Sequence, residues 1–254
     1  MAVLEVKNVT FSYDGVNEIL KNVDLQLNDG ELVCLLGVSG GGKTTLFNII
    51  AGLLEPQEGQ VLLNGEDITG QSGRVSYMLQ KDMLLPYRTV EDNVALPLII
   101  KGMKKKEARV KVGAYFEEFG IEGTQKRYPV ELSGGMRQRA ALLRTYLFSA
   151  QVALLDEPFS ALDTMTKSEM HRWYLDVMDQ IKLSTLFITH DVDEAILLSD
   201  RIYLLDGQNG ALTDEIVIRE PKPRRGDFTL SEEFLQYKRD IIARIYAGER
   251  RSTT

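Results

Sequence analysis

The chain has 254 residues, 44% of them hydrophobic, and a mean hydropathy of −0.15, enough for one large domain or two small ones with a real core. A net charge of −7 and a pI near 5.1 argue against a general nucleic-acid surface. No apolar stretch approaches the roughly 18 residues needed to span a bilayer, and the N-terminus lacks the basic and apolar regions of a secretory signal.

From the N-terminus, Leu4 to Tyr13 and Ile19 to Leu27 both alternate in hydrophobicity around an Asp14-Gly15 turn signal, which predicts an antiparallel hairpin. Glu31 to Leu36 is an apolar run that reads as a buried strand, with Cys34, the lone cysteine, as a small core residue. It leads into Gly37-Val38-Ser39-Gly40-Gly41-Gly42-Lys43-Thr44-Thr45, which fits G-x-x-x-x-G-K-[ST]. A helical segment follows and stops at Gly52. Strand, glycine loop and helix start together bring backbone N–H groups and the positive end of a helix dipole to one anion. Gly37, Gly40 and Gly42 let the backbone wrap phosphates, with Ser39 and Thr45 in the same run. Lys43 is expected to reach the β- and γ-phosphates, and Thr44 to offer its hydroxyl to Mg²⁺.

Further along, Gln60 to Leu63 predicts a short strand ending at an Asn64-Gly65 turn, and Gly73 to Gln80 another strand. From about Asp82 to Ser149 the periodicity is helical. Within that stretch Ser133-Gly134-Gly135 opens a helix, either as a plain cap or as a second anion site without a lysine of its own. Gln151 to Leu155 and Thr185 to Thr189 read as buried parallel strands separated by a helix. The first ends in Asp156-Glu157. Asp156 is a candidate Mg²⁺ ligand and Glu157 a candidate base for an attacking water, the plain alternative being an acidic turn that caps the next helix. Glu220 to Gly226 reads as a stiff basic linker, and Ser231 to Ala247 as an amphipathic helix stopped by Gly248.

Taken together, Gly37 to Thr45, Gln80, Leu132-Ser133-Gly134-Gly135-Met136-Arg137-Gln138, Asp156-Glu157-Pro158, Ser160-Ala161-Leu162-Asp163 and His190 resemble the ATP-binding subunit of an ABC transporter over about residues 2–210. The Leu-Ser-Gly-Gly element carries most of that specificity, because many NTPases share the phosphate loop. The resemblance implies an α/β P-loop NTPase of the ABC-ATPase fold, a mixed core sheet with an antiparallel β subdomain and an inserted α-helical subdomain at about 82–149. Residues 1–220 would form the ATPase domain and 221–254 the linker and terminal helix. It also implies ATP and Mg²⁺ as ligands and an ATP-dependent head-to-tail homodimer, or a dimer with a homologous ATPase. Each nucleotide would lie between one subunit's phosphate loop and the other's Ser133-Gly134-Gly135.

Carried over residue by residue, Tyr13 stacks on adenine, with a core strand aromatic as its alternative. Gln80 contacts Mg²⁺ or the attacking water, His190 touches the γ-phosphate, and Asp163 lies in the loop between the two sites. His171 reads as structural. The segments Gln80 to Val94, Glu157 to Asp163 and Thr189 to Ala195 resemble bacterial nitrate, sulfonate and taurine importer ATPases, although Tyr87 stands where tryptophan is expected. That implies transmembrane permease partners, a periplasmic or lipid-anchored solute-binding protein in the wider complex, no nucleic acid, and residence at the cytoplasmic face of the membrane. Met83, Leu84, Leu85 and Tyr87 are then either exposed for a partner or packed in the helical region. Lys104-Lys105-Lys106 reads as a solvated helix start, with lipid-headgroup contact as the alternative. A soluble assembly-factor ATPase of the same fold remains the competing function. A DNA-repair ATPase is disfavoured because no coiled coil separates the motifs.

Overall fold

The computed structural model describes residues 1–149, 151–207, 209–222, 224 and 227–251. Three residues of the expected linker, Pro223, Arg225 and Gly226, lie outside the described residues.

Two sheets build the scaffold. The first contains β1 (Ala2–Ser12), β2 (Glu18–Asn28), β4 (Glu58–Leu63) and β5 (Glu66–Asp67), all antiparallel, in the order β2-β1-β4-β5. The second runs β10 (Leu212–Val217), β9 (Arg201–Leu205), β3 (Leu32–Gly37), β8 (Ser184–Thr189), β7 (Val152–Asp156) and β6 (Ser76–Met78). It is parallel except for its edge strand β10. This is the mixed core sheet with an antiparallel subdomain that the resemblance implies.

β3 shows why its residues are apolar without a break. Leu32, Cys34 and Leu36 enter one core and Val33 and Leu35 the other, so both faces of the strand are buried. Between the two sheets lies α1 (Lys43–Ile50), contributing Leu46, Phe47, Ile49 and Ile50 to the second core. The other face of the large sheet carries α2 (Val90–Ile100), α3 (Lys105–Gly113), α4 (Gly134–Phe148), α5 (Thr164–Ile181), α6 (Val192–Leu198) and α7 (Glu232–Arg251).

Several boundaries differ from expectation. β6 is shorter than Gly73 to Gln80 because its pairing with β7 covers only Ser76 to Met78. β9 is a short buried apolar run that sequence reasoning missed, and β10 gives little signal because it alternates between intermediate and exposed positions at a sheet edge. α7 continues past Gly248 to Arg251. A single glycine penalises a helix by only about 1 kcal/mol, which does not end a 20-residue helix. The segment before α7 is docked. The Arg224 side chain is buried, and its guanidinium donates to the carbonyls of Ile196 (2.7 Å) and Ser199 (2.6 Å) at the end of α6. Lys222 donates to Asp200 at 2.7 Å.

Candidate functional site

The site gathers at the C-terminal ends of β3, β7 and β8 and the start of α1, where ligands of open α/β sheets bind. Gly42 caps α1 at φ +93°, and Gly40 has φ +80°, conformations that a side chain strains. A Cβ at Gly37 would come within 2.6 Å of the Leu205 carbonyl, and one at Gly41 within 2.8 Å of Gly207 Cα. The loop is therefore held against the β9 end by contacts that only glycine permits. Ser39 and Gly40 face outward.

Lys43 is buried, and its Nζ donates to the carbonyls of Gly37 (2.9 Å) and Val38 (2.7 Å). Burial lowers its pKa, opposed by the nearby Glu157 and Asp156 carboxylates. Thr44 Oγ1 donates to Asp156 Oδ2 at 3.2 Å. Burial raises the Asp156 pKa and the charge of Glu157 adds to the rise, against the Thr44 hydrogen bond and Lys43.

Glu157 follows β7 with φ +45°, and its N–H donates to the Ile188 carbonyl of β8 at 3.1 Å. That turn aims the carboxylate at two other elements. Gln80 Nε2 donates to Glu157 Oε2 at 3.0 Å, and His190 Nδ1 lies 3.1 Å from Glu157 Oε1. Residues 80, 157 and 190, far apart in the chain, thus meet on one carboxylate. They line an open groove of about 740 Å³ whose opposite wall includes Gly134, Arg137 and Gln138 of α4.

Ser133 caps α4, its Oγ accepting from the Met136 N–H at 3.3 Å, with Ser133 exposed and Gly135 buried. Asp163 caps α5, accepting from the N–H groups of Met165 (3.2 Å) and Thr166 (3.1 Å). The Thr166 hydroxyl and N–H together lower the Asp163 pKa. Tyr13 lies beyond the end of β1 and is 64% exposed, so the core-aromatic alternative fails. Its ring stands edge-on to Phe11 at 4.8 Å, and its hydroxyl shares a hydrogen bond with Thr45 Oγ1 at 3.2 Å.

Residues 83–87 split. Met83, Leu85 and Tyr87 are exposed, as the partner-facing alternative expects, whereas Leu84 is buried in the helical core, as the packed alternative expects. The Met83 backbone, at φ +48°, is held by Arg144, which donates from Nη1 to the Met83 carbonyl (2.8 Å) and from Nη2 to that of Asp82 (2.6 Å). Sequence reasoning missed Arg144, Arg224 and Gly207. A basic residue in a helix or linker looks solvated until its acceptors are known.

The residues suit a magnesium nucleotide. Thr44, Asp156 and Gln80 offer hard oxygen donors, and no cluster of three His, Cys, Asp or Glu residues exists among the described residues. Mg²⁺ is held by one or two carboxylates plus phosphates rather than by an all-protein cage.

The family described as ABC transporter matches residues 20–160. The chain is 41% identical to the formylaminopyrimidine import ATP-binding protein ThiZ of Halalkalibacterium halodurans, over 94% of this chain and 95% of that one. To the aliphatic sulfonates import ATP-binding protein SsuB of Bacillus cereus it is 37% identical, over 98% and 96%. Among solved structures, a dimeric bacterial ABC transporter cassette superposes with a TM-score of 0.72 at 30% identity, over 86% of this chain and 100% of that one. The same cassette is also known in a post-hydrolysis state bound to ADP and Pi. With fold, glycine loop and relatives in agreement, the protein belongs to the ABC transporter family as an ATP-binding, ATP-hydrolysing subunit.

Proposed function

We propose that this ATPase energises the import of a small solute through separate membrane subunits, with Glu157 as the general base. The observation that carries the catalytic part is the meeting of Gln80 and His190 on the Glu157 carboxylate. A water beside Glu157 gives up a proton as its oxygen attacks the γ-phosphorus in line. The bond to the bridging β–γ oxygen breaks, releasing ADP and phosphate. His190 stabilises charge on the γ-phosphate, and Gln80 would contact the attacking water or Mg²⁺. Lys43 turns from the Gly37 and Val38 carbonyls to the phosphates, and Gly37, Ser39, Gly40, Gly42 and Thr45 supply the surrounding loop. Thr44 and Asp156, with Gln80, would hold Mg²⁺, which when bound neutralises charge on the β- and γ-oxygens. Tyr13 offers its exposed ring to adenine.

The Ser133-Gly134-Gly135 start of α4 serves the nucleotide of a second subunit in a head-to-tail dimer, homomeric or with a homologous ATPase, and Asp163 lies in the loop between the two sites. Exposed Met83, Leu85 and Tyr87 fit an apolar segment of a permease. No described helix is long and apolar enough to cross a membrane. Membership of the family and the import relatives support peripheral association with membrane subunits, at the cytoplasmic face. The names of the relatives support a small solute of the nitrate, sulfonate, taurine or vitamin-precursor type. A periplasmic or lipid-anchored binding protein would deliver it in the wider complex.

Gentle purification of the tagged chain from its host's membranes tests the transport reading. A polytopic permease in a two-to-two complex is the expected result. Recovery with soluble scaffold proteins alone would overturn import while leaving the ATPase chemistry standing.

A further inference from the structure

His190 is flanked by two residues that do not face the groove. Thr189 Oγ1 donates to Glu194 Oε2 at 2.9 Å and accepts from the Asp191 N–H at 3.1 Å. Asp191 caps α6 through Oδ1, accepting from the N–H groups of Asp193 (2.9 Å) and Glu194 (3.2 Å). Its other oxygen, Oδ2, accepts from Lys167 Nζ at 2.7 Å, and the same ammonium lies 3.0 Å from Glu194 Oε2. One cation therefore bridges the two carboxylates that fix the turn carrying His190.

Lys167 belongs to α5, one turn after Asp163, and its N–H donates to the Asp163 carbonyl at 2.8 Å. Glu194 is 3% exposed, and its Oε1 has no hydrogen-bond partner. His171 Nε2, also without one, stands 3.7 Å from Glu194 Oε1, a turn further along α5. A buried carboxylate so sparsely satisfied depends on its cation for its position. With Lys167 in place, a shift of α5 drags the His190 turn with it. Without that cation, Asp191 and Glu194 repel each other next to His190.

We propose that Lys167 is a positioning residue for hydrolysis, holding His190 against Glu157 and tying it to the Asp163 loop. The proposal rests on the reading of His190 as part of the hydrolytic site. Its test is steady-state hydrolysis together with equilibrium binding of a fluorescent ATP analogue, for Lys167→Met, Lys167→Arg, His190→Ala and the double variant Lys167→Met/His190→Ala. Lys167→Met should lower kcat by about 10- to 100-fold, as misplacement of a reacting group does. KM and the analogue's Kd should move by less than about threefold. Lys167→Arg should recover most of the rate, and the double variant should be no slower than His190→Ala alone. Should Lys167→Met fold poorly, Lys167→Met/Glu194→Gln removes the stranded buried charge and should restore folding without restoring kcat. Wild-type kcat in Lys167→Met, or additive losses in the double variant, would overturn the proposal while the site reading stands. Undiminished hydrolysis by His190→Ala would overturn both.

Discussion

Two helix starts in this chain are open to phosphate, and they are finished to different degrees. At α1 the anion site carries its own cation, Lys43, with Thr44 and Asp156 beside it, and the glycine loop is pinned against Leu205 and Gly207. At α4 the cap Ser133 is exposed, and the first turn has no lysine. Arg137, the nearest cation there, turns back to donate to the Leu132 carbonyl at 2.9 Å. The first start can grip a triphosphate alone. The second can contribute only to an anion that another group already holds, which is the asymmetry a head-to-tail pair would use.

The sharpest way to break that comparison is at the groove between them. Glu157→Gln is expected to lower kcat by about 10²- to 10⁴-fold while ATP still binds and the dimer persists, read by phosphate release and by size-exclusion chromatography with ATP. Unchanged hydrolysis would remove Glu157 as the base. Lys43→Ala should weaken ATP binding to the isolated subunit on the order of 100-fold, measured by calorimetry. Ser133→Ala, by contrast, should leave single-subunit binding unchanged and weaken ATP-driven association by about threefold to tenfold, through loss of the cap. Equal effects of the last two variants on monomer binding would erase the distinction between the two helix starts.

The smallest effect concerns stability. The Asp156 pKa is raised in the fold, so the folded chain holds a proton there more firmly than the unfolded chain. Stability therefore falls as pH rises from the unfolded value through the raised folded one, and at neutral pH the buried charge is a burden. Without nucleotide, Asp156→Asn should raise the melting temperature at pH 7 by roughly 2–4 °C and flatten its acid-side pH dependence, while abolishing metal-dependent turnover.

Much of this was legible from residues. β3 and β7 are apolar runs, and β8 carries Leu186, Phe187 and Ile188 between buried hydroxyl residues, because both faces of the large sheet are covered; each strand leads to a candidate site residue. The glycine loop is legible because its conformation demands glycine at Gly40 and Gly42. What stayed hidden depends on partners distant in the chain. The edge strand β10 lacks a buried face, and Leu84 differs from Leu85 only in which way a strained turn points it. Lys167, paired with Asp191 beside His190, and Arg144, donating to the Met83 carbonyl, carry no mark in the sequence that separates them from a solvated lysine or arginine. Roles came from the resemblance, whereas the meeting of Gln80, Glu157 and His190 came from the fold.

The Lys43 ammonium, finally, is already engaged with two backbone carbonyls of its own loop. An arriving anion must outbid those acceptors, so binding is an exchange and the loop acts as an internal competitor. A triphosphate can meet the ammonium and the helix N–H groups with oxygens of different phosphate groups, which favours it in that exchange. The loop's own carbonyls therefore set the level from which any gain in phosphate binding is counted.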